Sequence, residues 1–185
     1  LYASKEVLLS GGALNSPHLL MLSGIGEATS LEQHGIKTQL DLKGVGHNLQ
    51  DHLDVCLVQR CSQNISYDKI NELTAGLKYL FNKSGPGTSN AAEVGGFLNV
   101  VIDCNDASDN WPELQFHFVP AILDDHGRNR IRENGYTLHM CLLRPESRGH
   151  LQLASKSPMQ PIKIFANYLS APNDLKYMKK GFEIQ

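Results

Sequence analysis

Three stretches carry polar side chains at spacings that chemistry could use. Gly44-Val45-Gly46-His47-Asn48-Leu49-Gln50-Asp51-His52 is a glycine-rich loop in which Asn48, Asp51 and His52 offer an amide, a carboxylate and an imidazole close together. Such short side chains hydrogen-bond either a bound ligand or nearby backbone, and Asp51 is equally suited to capping a turn. His47, Asp51 and His52 do not read as a metal cluster, and no metal site is expected. In the second stretch, Gln115 and His117 alternate with Phe116 and Phe118, so a strand here presents one polar and one apolar face. From the residues alone, His117 reads as an exposed or a satisfied core histidine. In the third, Glu93 sits between Ser89-Asn90 and Gly95-Gly96, a carboxylate presented among small residues, whose plain reading is a salt-bridged structural Glu.

A fourth feature is backbone chemistry. Gly11-Gly12 precede an apolar helical run, and Asn15 or Ser16 is placed to cap that helix, with Pro17 in its first turn and Gly24 ending it. Backbone N–H groups at such a helix start favour an anionic group, so the turn fits the neighbourhood of a dinucleotide, or simply connects two elements. Cys56, Cys61, Cys104 and Cys141 form no Cys-x-x-Cys pair and have no matching histidine spacing. They read as reduced, mostly packed thiols. Arg144 and Arg148 flank a turn and are expected to play a structural part, fixing loop backbone or carboxylates.

The elements that must position these residues change character along the chain. Residues 6–10 read as a short buried strand of a parallel sheet, followed by the helix and a second short helix over 29–34. From residue 54 the pattern turns to alternation: strands over 54–60, 95–101, 113–119, 136–143 and 149–154, and a helix carrying Ile70, Leu73, Leu77, Leu80 and Phe81 on one face. Residues 145–149 are expected to form a hairpin turn between the last two strands. The fold class is therefore α+β: an α/β part over residues 1–54, then a largely antiparallel-sheet domain over 55–185 with a helix on one face. The chain begins without Met, just before a strand, and stops inside the amphipathic pattern of Leu175, Met178 and Phe182. It is expected to be a piece of a longer polypeptide.

Composition excludes several classes. The 185 residues are 41% hydrophobic and 19% charged, ordinary values for a globular chain. A net charge of -2 with scattered Lys and Arg gives no footprint for nucleic acid. No apolar run approaches the roughly 20 residues that span a bilayer, and no leader pattern is present. The expected location is cytoplasmic, with peripheral attachment to the inner membrane left open for a full-length protein.

Four stretches together resemble the glucose-methanol-choline oxidoreductases. Gly12-Ala13-Leu14-Asn15-Ser16-Pro17-His18-Leu19-Leu20 through Ser23-Gly24-Ile25-Gly26 is similar to that family's second signature. The loop 44–52, Leu114-Gln115-Phe116-His117-Phe118 and Arg144-Pro145-Glu146-Ser147-Arg148-Gly149 agree with it, so the resemblance covers essentially the whole chain. Ser89-Asn90-Ala91-Ala92-Glu93-Val94-Gly95-Gly96-Phe97 and the stretch at Asn167-Tyr168-Leu169 direct it to the choline dehydrogenase and FAD-dependent alcohol dehydrogenase branch.

The resemblance implies FAD as cofactor, residues 1–54 as part of an FAD-binding domain and 55–185 as a substrate-binding domain. It places Asn15, Ser16, Asn48, Asp51 and His52 at the cofactor, and Glu93, Gln115 and His117 at the substrate. It also implies an alcohol substrate, choline or another primary alcohol, whose hydride passes to flavin and whose electrons pass to a quinone-type acceptor or oxygen. The family's Gly-x-Gly-x-x-Gly fingerprint is missing from this sequence, as is the segment carrying its catalytic His, so no catalytic residue is assigned. The alternative is a binding or structural module that keeps the fold without redox chemistry.

Overall fold

The computed structural model describes residues 2–100 and 111–185, and those residues fall into two compact units. One comprises the chain up to Asp51 together with Pro145–Ala171; the other comprises His52–Arg144 together with Pro172–Gln185. The chain thus leaves the first unit after Asp51, three residues before the sequence boundary at Asp54, and returns to it at Pro145.

The first unit opens on residues 6–10, which lie exposed without regular structure, Val7 at 74% and Leu8 at 78%. The expected strand is therefore absent: an apolar run becomes a strand only when a neighbour takes up its N–H and C=O groups, and none of the described residues does so. Helix α1 (Gly12–Leu22) follows, with Gly11 at its N-cap. It starts earlier than the expected cap at Asn15 or Ser16, because Ser16 serves from inside the helix: its Oγ accepts the Gly11 N–H at 2.9 Å. Pro17 accordingly lies within the helix and not in its first turn. Gly24, at φ +85°, ends it as expected, in a bend where a Cβ would lie 2.5 Å from the Lys37 carbonyl oxygen.

A two-residue parallel pair, β1 (Ile25–Gly26) and β2 (Leu40–Asp41), brackets helix α2 (Ala28–Gln33). Asp41 Oδ1 accepts the Ala28 N–H at 3.0 Å and so caps α2 from outside. The core of this unit is Met21, Leu31, Leu151 and Leu153, backed by Val45, Leu49 and Ile162.

The second unit is built on a four-stranded antiparallel sheet in the order β3-β8-β5-β4, from β3 (Asp54–Arg60), β4 (Val94–Leu98), β5 (Leu114–Val119) and β8 (Gly135–Leu142). Helix α3 (Glu72–Asn82) lies between β3 and β4 in the chain, capped by the Asn71 side chain accepting the Thr74 N–H at 3.1 Å. The expected end of strand β4 at Val101 lies outside the described residues, as does Cys104. A hairpin that the sequence did not suggest, β6 (Ile122–Asp124) with β7 (Asn129–Ile131), leads into β8.

Residues 145–149 are not a hairpin turn between β8 and the next strand. They carry the chain out of the second unit, and β9 (His150–Gln152) pairs instead with β10 (Lys163–Phe165) in the first. Helix α4 (Pro172–Ile184) returns to the second unit and packs Met178 on Leu114, Met140, Leu142 and Val100. Gly181 lets α4 approach the sheet closely: a Cβ there would stand 2.7 Å from Leu114 Cδ1 and from Met140 Sδ, so those side chains would have to move. The result is an α+β arrangement, in which the helix on the apolar face of the sheet is α4 and not α3.

Candidate functional site

Each unit carries its own group of candidate residues. In the first, the loop 44–50 runs past α1 and encloses a cleft of about 470 Å³ lined by Ser16, Leu20, Gly46, His47, Asn48 and Leu151, among others. The loop is held by Leu151 N–H donating to Gly46 O at 2.6 Å and by the reciprocal pair Leu49 and Gly149. Gly46, at φ +83°, is pressed against that partner: a Cβ there would lie 3.0 Å from Leu151 O. Asn48 also has left-handed backbone, φ +58°, a conformation that Asn accepts more readily than most residues.

Of the residues expected at the cofactor, Ser16 and Asn48 line this cleft, whereas Asn15, Asp51 and His52 do not. Asp51 receives the Tyr168 hydroxyl, and that hydrogen bond, with some burial, pushes the Tyr168 phenol above its ordinary value. Asp51 is thereby tied to the turn after β10. His52 is exposed and opens the second unit. Beside the cleft, His150 stacks on Phe165 at 4.7 Å and on His47 at 6.1 Å.

In the second unit the register of the sheet decides what meets. Cys56 stands opposite His139, His139 opposite His117, Asp54 opposite Cys141, and Cys141 opposite Gln115. Side chains alternate along each strand, so all six share one face, while Val55, Leu114, Phe116 and Met140 share the other with α4. Gln115 and His117 therefore sit on the polar face, as the alternation predicted. His117 stacks on His139 with centroids 5.7 Å apart, and the Cys141 thiol lies 3.8 Å from Gln115 Oε1.

His139 Nδ1 is 2.7 Å from Asp54 Oδ2 and 3.2 Å from Cys56 Sγ. Burial pushes the Asp54 carboxyl up, but the hydrogen bond and charge of His139, helped by the charge of His117 and the Met140 N–H, outweigh it and leave the group below its ordinary range. Burial, followed by the Asp54 charge, pushes the Cys56 and Cys141 thiols up. These are protonated thiols, poorly suited to act as nucleophiles. Cys56, Cys61 and Cys141 are all free, with Cys56 exposed and Cys141 buried.

From the sequence Cys56 and Cys141 read only as reduced thiols, and Asp54 and His139 carry no assigned role, although Thr137-Leu138-His139-Met140-Cys141-Leu142 alternates as plainly as the Gln115 strand does. Glu93 is exposed; its N–H bonds Phe118 O at 3.2 Å and its carboxylate accepts the Tyr67 hydroxyl. Burial and that bond raise the Tyr67 phenol. Arg144 meets the Glu113 carboxylate at 3.4 Å, while Arg148 donates to the carbonyls of Pro145 and Ser147, so the first holds a carboxylate and the second braces backbone. Glu113, buried with 8% of its surface exposed, also accepts the Val100 N–H at 2.8 Å.

Comparison with known proteins matches this arrangement to one family. Residues 1–54 match the model of the GMC oxidoreductases. Over 98% of its length the chain is 46% identical to an alcohol dehydrogenase [acceptor] of Pseudomonas putida, of which it covers 33%. It is 39% identical to an oxygen-dependent choline dehydrogenase of Pseudomonas fluorescens, covering 98% of the chain and 32% of that protein. A solved formate oxidase of Aspergillus oryzae, described for modification of its FAD, superposes with a TM-score of 0.84 at 28% identity, over 99% of this chain and 36% of that one. The chain thus spans about a third of the length of the relatives it matches. Signature, sheet and these similarities agree: residues 1–54 match the GMC oxidoreductases, and over nearly its whole length the chain is similar to alcohol and choline dehydrogenases.

Proposed function

We propose that this chain is part of an FAD-dependent oxidoreductase that oxidises choline or another primary alcohol to the aldehyde and delivers the electrons to a quinone-type acceptor. The observation that carries the reading is the 46% identity to an alcohol dehydrogenase [acceptor] across 98% of the chain. A cytoplasmic location, with peripheral contact to the membrane that holds such acceptors, belongs to the same proposal.

The residues present fit part of a flavin dinucleotide. The cleft beside α1 combines glycine backbone with the polar side chains of Ser16 and Asn48, and a Cβ built on Gly12 meets nothing within 4 Å. Bound FAD supplies the hydride acceptor. In this reading the α1 segment and the loop 44–50 bind and orient the cofactor, Ser16 and Asn48 supplying hydrogen bonds. Gln115 and His117 on the polar face of the sheet line the side that receives the alcohol, and Glu93 offers a carboxylate to a cationic substrate such as choline. No histidine of this chain is assigned to accept the hydroxyl proton.

The test is made on the full-length protein. Its cofactor is released and identified, and the protein is then mixed without oxygen with choline or with a neutral primary alcohol of similar size. Bleaching of the bound flavin with stoichiometric aldehyde supports the proposal, and the faster substrate names the branch. Purification without flavin, or flavin that no alcohol bleaches, sinks it in favour of the non-catalytic module.

A further inference from the structure

On the polar face of the sheet, three different donor atoms converge. Cys56 and His139 are directly opposed across β3 and β8, and Asp54 lies two residues before Cys56, hence on the same face. Their Sγ, Nδ1 and Oδ2 atoms are separated by 3.2 Å (Sγ–Nδ1), 2.7 Å (Nδ1–Oδ2) and 3.9 Å (Sγ–Oδ2), and all lie within 4.8 Å of one another. We propose that Asp54, Cys56 and His139 form a three-ligand site for a divalent transition cation of intermediate softness, of which Zn²⁺ is the natural choice, that fastens β3 to β8.

A triangle with these sides has a centre about 2.0 Å from each corner, so an ion at ordinary Zn–O, Zn–N and Zn–S lengths of about 2.0–2.3 Å fits at or slightly above its plane. Around a tetrahedral ion such donors stand about 3.3–3.6 Å apart, which asks the Asp54–His139 contact to open and the Asp54–Cys56 distance to close by a few tenths of an ångström. Side-chain rotation suffices for this, because Asp54 and Cys56 are both exposed on an edge strand.

The donor set selects the ion. A thiol sulfur beside an imidazole suits Zn²⁺ and disfavours Mg²⁺ and Ca²⁺, which take oxygen ligands. Three protein ligands leave a fourth position to water. The same geometry argues against a nucleophilic cysteine relay. In such a relay the thiol and the carboxylate approach opposite nitrogens of the imidazole, whereas here both approach Nδ1. The neighbouring His117 ring, stacked on His139, limits how far the His139 imidazole can swing.

Tag-free full-length protein is stripped with a chelator under a phosphine reductant and titrated with Co²⁺, then with Zn²⁺ against a chromophoric chelator. The expected result is one Co²⁺ bound with a thiolate-to-cobalt charge-transfer band and strong long-wavelength visible bands of a tetrahedral site, displaced by one Zn²⁺. Cys56→Ala should abolish the charge-transfer band. Cys56→Ala and Asp54→Asn should each weaken Zn²⁺ at least about tenfold, given that outer-shell partners alone are worth about 10–100-fold. Cys61→Ala and Cys104→Ala should leave both readings unchanged. Weak octahedral spectra without a thiolate band, a band that survives Cys56→Ala, or Zn²⁺ affinity that survives both substitutions would overturn the site. Metal binding and flavin bleaching by alcohol are read separately, so loss of the thiolate band with bleaching intact, or the reverse, tells which of the two proposals has failed.

Discussion

His139 Nδ1 and Asp54 Oδ2 are 2.7 Å apart although 85 residues separate them in sequence. The contact is made by strand register: pairing Asp54 with Cys141 and Cys56 with His139 puts both side chains on one face of the sheet. It also has a thermodynamic consequence. Because the folded chain holds the Asp54 carboxyl below its ordinary value of 3.8, the stabilisation is fully present above that value and is lost as pH falls through the lower, folded one. With Asp54 at 39% side-chain exposure, solvent screening limits the effect to about 1 kcal/mol or less. The melting-temperature difference between wild type and Asp54→Asn should therefore shrink as pH falls from about 5 toward about 2.5. A difference independent of pH across that range would show that the pair contributes no ionic stabilisation.

Buried hydrogen bonding on the same strand should weigh more. Thr137 has no solvent exposure; its hydroxyl donates to Ala121 O at 2.7 Å and accepts the Leu123 N–H at 3.1 Å. It thereby seats the β6 hairpin on β8. Thr137→Val keeps the volume but leaves both backbone groups buried without that partner, at a cost of about 2–4 kcal/mol. Denaturant unfolding of the full-length protein measures this, and a loss below about 0.5 kcal/mol would mean that water replaces the hydroxyl.

What was legible in the sequence follows from how local the cause is. Strand β3 was read at its observed bounds, because Asp54-Val55-Cys56-Leu57-Val58 alternates and alternation is a property of the strand itself. The Gly24 stop was legible for the same reason: positive φ is a demand made on one residue. The residues 6–10 were misread, because an apolar run states what it prefers to bury and not whether a partner strand is at hand. The start of α1 was misplaced, because Ser16 reaches backward to Gly11, and a cap from inside the helix leaves no separate signal. The Asp54–Cys56–His139 cluster was invisible, because it depends on the register between β3 and β8, which no single stretch specifies.

The apolar face of α3 gives a prediction of its own. Leu73 and Phe81 are 72% and 76% exposed, and Val7 and Leu8 are similarly open. Surfaces of this kind associate. The 185-residue chain expressed by itself should therefore elute from gel filtration as concentration-dependent oligomers and bind a hydrophobic dye. Leu73→Lys with Phe81→Lys should reduce both. A monomer at all concentrations with no dye binding would contradict this.

The cleft beside α1 can be tested by contrast between residues expected to behave alike. Asn48 lines the cleft and Asn15 does not. Asn48→Gly removes the side chain while tolerating the backbone φ of +58°, so any loss belongs to the amide and not to strain. One hydrogen bond is worth about 0.5–1.5 kcal/mol, and flavin retention by the full-length protein should weaken by about two- to tenfold. Asn15→Ala should leave it within about twofold. Equal losses would place Asn15 at the cofactor as well, and no loss in Asn48→Gly would remove that side chain from the cofactor.

Glu93 separates a choline enzyme from one for neutral alcohols. Its carboxylate accepts the Tyr67 hydroxyl, so the group is held in one place before any substrate arrives. A fixed carboxylate facing a trimethylammonium group in a largely desolvated site is worth on the order of 2 kcal/mol, or roughly thirtyfold in kcat/KM. Glu93→Gln keeps size, shape and the acceptor for Tyr67 while removing the charge. In the choline case it should cost roughly thirtyfold with choline and within about threefold with a neutral alcohol of similar size, which leaves no cation unpaired. Tyr67→Phe should cost less than Glu93→Gln with choline, because it loosens the carboxylate without neutralising it. The measurement is steady-state turnover of the full-length protein and both variants on the two substrates. Equal losses of Glu93→Gln on both would assign Glu93 to holding the turn before β4. Unchanged kinetics on both would take it out of the substrate site and leave the Tyr67 contact as its only role.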